Sequence, residues 1–173
     1  MKMTSFICLS SSMFYYERDG TMKKSNKILD YIVIIGLIVL KYLVLFVIDG
    51  SIYIVMELIY RGHSHISMFI LGGIVGVLVG GLNNWYTWKM SLLFQMGVST
   101  IIITCLEYLT GVIVNIGLGL NVWDYSNLPL NIHGQICLYF SFVWFFVSFI
   151  AIVLDDWLRY KLFGEEFHKY ILI

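Results

Sequence analysis

"LGGIVGVLVGG" (residues 71–81) holds five glycines and six aliphatic residues, and it contains no polar or charged side chain. Gly72, Gly76 and Gly80 recur at every fourth position, so a helix would place them along one side. A glycine stripe lets the backbone of a second helix approach closely, and this packing matters in lipid, where apolar burial gives no net drive. The stretch therefore predicts a membrane helix that packs against a neighbour along these three glycines. The alternative is a thin wall beside a transport pathway.

The composition of the whole chain also indicates a membrane protein. Of its 173 residues, 60% are hydrophobic and 13% are charged, and the mean hydropathy is +0.85. Soluble domains are about 45–50% apolar and about 25% charged. The net charge is zero, so we expect no nucleic-acid partner. Three scattered cysteines without a C-x-x-C pair predict neither a disulfide framework nor a thiolate metal site.

Four apolar stretches predict an all-α, polytopic bundle of four transmembrane helices. Three of them have roughly the 17–25 residues that a crossing needs, and they cover residues 66–82, 92–114 and 136–154. The first stretch, residues 28–60, is longer. We place its span at about residues 41–60, with an apolar N-terminal extension and Lys41 reaching the inner interface. A break at Asp49-Gly50 would give five helices instead.

These spans define one membrane domain, residues 28–160, between an N-terminal tail (1–27) and a C-terminal tail (161–173). Met22 precedes the basic run "KKSNK", so a translation start at Met22 is an alternative to a disordered tail.

Lysine and arginine predict the orientation of the bundle. They concentrate in the N-terminal flank, the second loop and the C-terminal tail, whereas residues 121–135 contain none. Because cytoplasmic segments carry the excess of these residues, we expect a multi-pass membrane protein with both termini in the cytoplasm. Trp123 and Tyr125 would then anchor the outer interface.

Polar residues of the third and fourth spans recur at helical spacing and predict a polar seam inside the bundle. The third span contributes Gln95, Ser99, Thr104, Glu107, Gly111 and Asn115, and the fourth contributes Ser141, Trp144, Ser148, Ala151 and Asp155.

Glu107 is the most informative residue of this seam. A carboxylate at the centre of a membrane helix costs about 2.5–3.5 kcal/mol on insertion scales, and intramembrane ionisable residues mark function by default. The alternative is a protonated carboxyl that bonds between helices. Trp144 lies at an overlapping depth, and Glu107 is a candidate acceptor for its indole N–H, which needs a partner when it is buried.

The outer loop, "NVWDYSNLPLNIHGQ" (residues 121–135), completes a predicted polar site near the outer face. Asn131 can cap the fourth span, whose positive end would suit an anionic or amide-bearing ligand, and Asp124 would close the site from the loop. Glu57 and Arg61 are four residues apart and can form an ion pair. An ordered loop whose polar groups satisfy one another is the alternative. The predicted substrate-binding residues are Glu57, Arg61, Glu107, Asp124, Asn131 and Trp144.

Catalysis and metal binding receive less support. His63, His65 and His133, together with the acids, could in principle chelate a metal, but no H-E-x-x-H or comparable motif supports it. No nucleophile–base pair is recognisable. We therefore predict no catalytic residue, no metal and no cofactor.

Three segments resemble a known family of bacterial membrane proteins, the ABC-transporter type IV (CmpB-like) permeases. They are "YIVMELIYRGHSHISMFILGG", "LEYLTGVIVN" and "NVWDYSNLPLNIHGQICL", and the resemblance extends from about Lys41 to Lys169. The residues that carry it are Glu57, Arg61, Gly62, Ser64, His65, Gly72, Gly73, Glu107, Gly111, Asn115, Trp123, Asp124, Tyr125, Ser126, Pro129, Asn131, Gly134 and Gln135.

The resemblance implies a transport-associated subunit that resides in the lipid bilayer. The chain has no G-x-x-x-x-G-K-[ST] motif, so an ATPase would be a separate partner. Four spans are few for a permease, which favours a homo-oligomer. The alternatives are a membrane enzyme or sensor acting on an envelope lipid or precursor, and a structural partner protein.

Overall fold

The computed structural model describes residues 14–16, 22–24, 27–85, 90–166 and 169–172. Two short strands pair antiparallel before the helices, β1 (Phe14–Tyr16) and β2 (Met22–Lys24). The helices are α1 (Lys27–Arg61), α2 (Ile66–Gly80), α3 (Leu82–Trp85), α4 (Leu92–Gly111) and α5 (Leu138–Leu158). Helices α4 and α5 continue as π-helical segments, Val112–Gly117 and Arg159–Phe163. A second hairpin, β3 (Asn131–Ile132) and β4 (Ile136–Cys137), precedes α5.

The predicted all-α class is confirmed. Within the described residues, three helical segments are long and apolar enough to cross a membrane: Lys27–Arg61, Leu92–Gly117 and Leu138–Phe163. Helix α2 is apolar as well but has only 15 residues. The alternative of a break at Asp49-Gly50, which would have given a fifth transmembrane helix, is wrong, because α1 is continuous through these two residues. Gly50 lies directly against Phe69 of α2, so this glycine serves close packing and does not interrupt the helix.

Helix α2 is the centre of the bundle and contacts α1, α4 and α5. Eight of its 15 residues are buried, whereas α1 buries only two of 35. A Cβ atom at Gly72 or Gly76 would overlap α1, at Tyr53 and Asp49 respectively. A Cβ atom at Gly80 would overlap Asp155 of α5. The glycine stripe therefore packs against two different helices, α1 and α5.

The bundle has two ends. The loop end carries residues 62–65 and 118–137, and the tail end carries residues 81–85, 90–91, 164–166 and 169–172. At the tail end Arg159 forms an ion pair with Asp155, and both side chains are 1% exposed. Asp156 accepts hydrogen bonds from Asn83 at 2.7 Å and from the Tyr170 hydroxyl at 2.6 Å.

The C-terminal residues are attached to this tail end. The Leu92 backbone N–H donates to the carbonyl of Ile171 at 2.7 Å. Lys41, predicted to extend to the membrane interface, forms an ion pair with Glu165. The apolar extension of α1 lies beyond this point, and every residue from 27 to 40 is exposed.

The glycine contacts predict the outcome of a matched pair of substitutions. Gly76→Ala should lower the melting temperature in detergent, because the new methyl group overlaps Asp49 and overpacking costs about 1–3 kcal/mol. Gly97→Ala in α4 should be neutral or stabilising, since its methyl group meets no described atom within 4 Å and alanine is the better helix former. Equal melting temperatures of the two variants would contradict the packing described above.

Candidate functional site

A cavity of about 650 Å³ lies at the loop end, between the last turns of α1, the first turns of α5 and the loop 118–137. Met68 of α2 also contributes to its wall. The lining comprises the aromatic residues Tyr53, Tyr60, Trp123, Tyr125, Tyr139, Phe140 and Trp144, the apolar residues Met56, Met68, Val122, Leu128, Val143 and Val147, and the polar residues Glu57, Arg61, His63 and Asp124. Four of the six predicted site residues, Glu57, Arg61, Asp124 and Trp144, are therefore brought to one cavity.

Glu107 lies directly behind the cavity wall and is 2% exposed. Its carboxylate accepts one hydrogen bond from the Trp144 indole N–H at 2.9 Å and another from the Tyr125 hydroxyl at 3.0 Å. The bond to Trp144 is the one that the overlapping depths predicted. The carboxylate therefore contacts two aromatic residues whose rings line the cavity.

Tyr125 was predicted to anchor the membrane interface, but its hydroxyl donates to Glu107 inside the bundle. Burial raises the pKa of Tyr125, and the negative charge of Glu107 raises it further. The phenol therefore keeps its proton at neutral pH and remains a hydrogen-bond donor to Glu107. Trp123, also predicted as an interface anchor, is instead buried, and its indole N–H donates to the Gln135 carbonyl at 3.0 Å.

Aromatic contacts cross the cavity between its three walls. The ring of Tyr53 from α1 stacks on Trp144 from α5 with centroids 6.1 Å apart. Tyr125 from the loop stacks on Phe140 at 4.5 Å, and Tyr60 meets Phe140 edge to face at 6.4 Å. Such pairs contribute about 0.5–1.5 kcal/mol each beyond the area they bury, so they hold the walls in a defined arrangement.

The Glu57–Arg61 pair attaches the end of α1 to the loop. Arg61 donates to Glu57 at 2.6 Å and to the Val122 carbonyl at 2.7 Å. The Ser64 hydroxyl also donates to Glu57. The two charged side chains are only 18% and 13% exposed, so the pair belongs to the cavity wall as well as to the helix surface.

Asn115 organises the base of the loop from the end of the third span. Its amide nitrogen donates to the Trp123 carbonyl at 3.0 Å and to the Gln135 side chain at 2.8 Å. Its amide oxygen accepts from the Val122 backbone N–H at 2.7 Å. One buried side chain thereby fixes two separate stretches of the loop, 122–123 and 135.

Asp124 lies at the solvent-exposed rim of the cavity. The backbone N–H and the hydroxyl of Ser126 both donate to its carboxylate at 2.8 Å. These bonds, the backbone bond first, lower the pKa of Asp124 below its usual value. The rim therefore carries a negative charge at neutral pH.

The prediction that Asn131 caps the fourth span is wrong. Helix α5 begins only at Leu138, after the β3–β4 hairpin, and its N-cap residue is Cys137. Instead the Asn131 amide donates to the Leu128 carbonyl at 2.7 Å, and its oxygen accepts from the Gly134 N–H at 3.0 Å. Asn131 therefore shapes the loop and is absent from the described cavity lining.

The three loop histidines have separate contacts. His65 caps α2 by accepting from the Ser67 N–H, His133 bonds the Tyr108 hydroxyl, and His63 contacts the Arg61 carbonyl. Among the residues that the structure describes, no group of three or more His, Cys, Asp or Glu side chains is placed to hold a metal ion.

Comparison with known proteins gives one match. A family model described as "Putative ABC-transporter type IV" matches residues 51–170, which is more than two thirds of the chain and includes all six predicted site residues. No curated protein and no solved structure matches the chain.

The role of Asn115 predicts a large effect of a single substitution. Asn115→Leu should lower the melting temperature and speed proteolysis within residues 118–137, because it leaves the Val122 N–H and the Gln135 side chain without this partner. Each unsatisfied buried group costs about 1–3 kcal/mol. Asn127→Leu is the control, since Asn127 is exposed in the same loop. Similar proteolysis rates for the two variants would contradict an anchoring role for Asn115.

Proposed function

Because the chain belongs to the ABC-transporter type IV family, we propose that it is a transport-associated membrane subunit that binds a small amphipathic molecule in the cavity between α1 and α5. The observation that carries this proposal is the cavity itself. Its volume of about 650 Å³ lies within the roughly 300–1,000 Å³ of small-molecule sites, which are mostly apolar and aromatic with a few placed polar groups.

The distribution of side chains around the cavity supports an amphipathic ligand. Glu57, Arg61 and Asp124 lie toward the loop, where a polar group of the ligand would be accommodated. Val143 and Val147 lie successive turns further into α5 and offer an apolar surface. A molecule with one polar end and one apolar end fits this gradient.

Charge supports an outward-facing cavity. The basic residues Lys161 and Lys169 lie at the tail end of the chain, and residues 121–135 contain no lysine or arginine. By the positive-inside tendency, the termini of a bacterial protein would lie in the cytoplasm and the cavity near the outer leaflet.

The partners follow from what the sequence contains. It has no phosphate-binding G-x-x-x-x-G-K-[ST] motif, so ATP hydrolysis would require a separate ATPase subunit. A homo-oligomer would supply the additional helices that a translocation pathway requires.

A membrane enzyme or sensor acting on an envelope lipid or precursor is the second candidate. Glu57, Asp124 and the adjacent Glu107 would supply the acid–base groups. The described cavity lining includes no serine, threonine or cysteine nucleophile, which ranks this candidate below transport. A purely structural partner protein would not need the cavity.

Labelling tests the proposed orientation. In a background without the native cysteines, Ser126→Cys should react with a membrane-impermeant maleimide in intact cells, because Ser126 is exposed at the loop end. Lys161→Cys, which is exposed at the tail end, should react only after lysis. The opposite pattern would reverse the orientation and place the cavity on the cytoplasmic side.

Filling the cavity tests the proposed function. Val143→Trp should abolish complementation of a deletion strain, because the larger side chain occupies the ligand volume. Phe142→Trp adds an indole to a neighbouring position that is 63% exposed and should complement fully. Complementation is compared at matched membrane levels of the two proteins.

Purification from native membranes separates ligand binding from assembly. Both variants should retain an associated ATPase, because an ATPase would bind at the cytoplasmic tail end and the cavity lies at the loop end. Full complementation by Val143→Trp would exclude the cavity as the ligand site, and absence of an ATPase from the unmodified protein would exclude the ABC-type role.

A further inference from the structure

Seven of the 17 side chains that line the cavity are aromatic. The face of an aromatic ring carries negative potential and attracts cations, most strongly for tryptophan. Tyr53, Tyr125 and Trp144 come from α1, the loop and α5, and all three line this one cavity. Aromatic enclosures of this kind recognise quaternary ammonium groups.

The charged side chains around the cavity also favour a cationic ligand. Glu57 and Asp124 belong to the lining, and Glu107 lies immediately behind it. Arg61 is the permanently charged cation among the described lining residues, and its ion pair with Glu57 offsets it. The carboxylates of Asp124 and Glu107 remain without a cationic partner in their described hydrogen bonds.

Glu107 strengthens the aromatic surface through its two hydrogen bonds. The Trp144 N–H and the Tyr125 O–H both donate to its carboxylate. Donation to an ionised carboxyl polarises the donor and shifts electron density onto its ring. When Glu107 is ionised, the faces of these two rings therefore attract a cation more strongly than isolated rings would.

We propose that the ligand of this cavity is an organic cation, an ammonium or quaternary ammonium group with apolar substituents, held against the aromatic rings. The proposal rests on the proposed function and specifies its substrate class. It replaces the anionic or amide-bearing ligand that the positive end of the fourth span had suggested, because the described lining holds two carboxylates, Glu57 and Asp124, against one permanent cation, Arg61. Glu107 acts as a positioning residue because it works through Trp144 and Tyr125.

Paired binding measurements test the charge preference. The full-length protein is reconstituted in phosphatidylglycerol nanodiscs, whose lipid contains no ammonium group. Isothermal titration calorimetry then compares choline with its uncharged isostere, 3,3-dimethylbutan-1-ol. Choline should bind at least about tenfold more tightly, since a desolvated cation–π contact supplies that preference.

Two variants locate the origin of the preference. Glu107→Gln keeps a hydrogen-bond acceptor and removes the charge, so it should weaken choline about fivefold and change the isostere by less than about twofold. Tyr60→Leu removes one ring from a side chain that is 76% exposed, so it should fold normally and show the same selective loss. Asp30→Asn, which removes an acidic charge from the opposite end of α1, is the control and should change neither.

Three outcomes of these measurements would contradict the proposal. Equal affinity of the unmodified protein for choline and its isostere would overturn the cationic ligand and leave the cavity as an amphipathic site. Equal losses for both compounds in Glu107→Gln and Tyr60→Leu would reduce these residues to structural supports and would also overturn the proposal. Binding of neither compound would overturn both the cationic ligand and the cavity as a ligand site.

Discussion

Close backbone contact along one face of α2 is the constraint on which the arrangement depends. Glycine at positions 72 and 76 admits α1, and glycine at position 80 admits the carboxylate-bearing turn of α5. Two long helices are thereby held by the same short one. Toward the loop end, beyond the glycines, Met68 of the same helix forms part of the cavity wall.

Buried carboxylates are stabilised in two different ways at the two ends of the bundle. Asp155 has an arginine one turn away and forms an ion pair with it. Glu107 instead receives neutral N–H and O–H donors from Trp144 and Tyr125. The first arrangement pairs the carboxylate with a cation, and the second attaches the carboxyl group to two aromatic side chains that line the cavity. This difference is why the loop end is the better candidate for ligand binding.

The sequence predicted the features that follow helical spacing. The interior position of Glu107 and its contact with Trp144 could both be anticipated from residue intervals and depth. Tyr125 and the capping role of Asn131 were misjudged, because loop conformation depends on long-range bonds such as those of Asn115, which have no periodic signature. The continuity of α1 was also ambiguous, since Gly50 is as consistent with close packing as with a break.

The unequal lengths of α1 and α2 have a consequence for the surrounding bilayer. At 1.5 Å per residue, the 35 residues of α1 extend about 52 Å, whereas the 15 residues of α2 extend about 22 Å. To fit a hydrocarbon layer of about 30 Å, α1 would need a tilt near 55°, beyond the roughly 0–40° seen for membrane helices. Tilting alone therefore cannot relieve this hydrophobic mismatch: either the exposed residues 27–40 of α1 extend beyond the hydrocarbon layer, or the lipid beside α1 is thicker than the lipid beside α2.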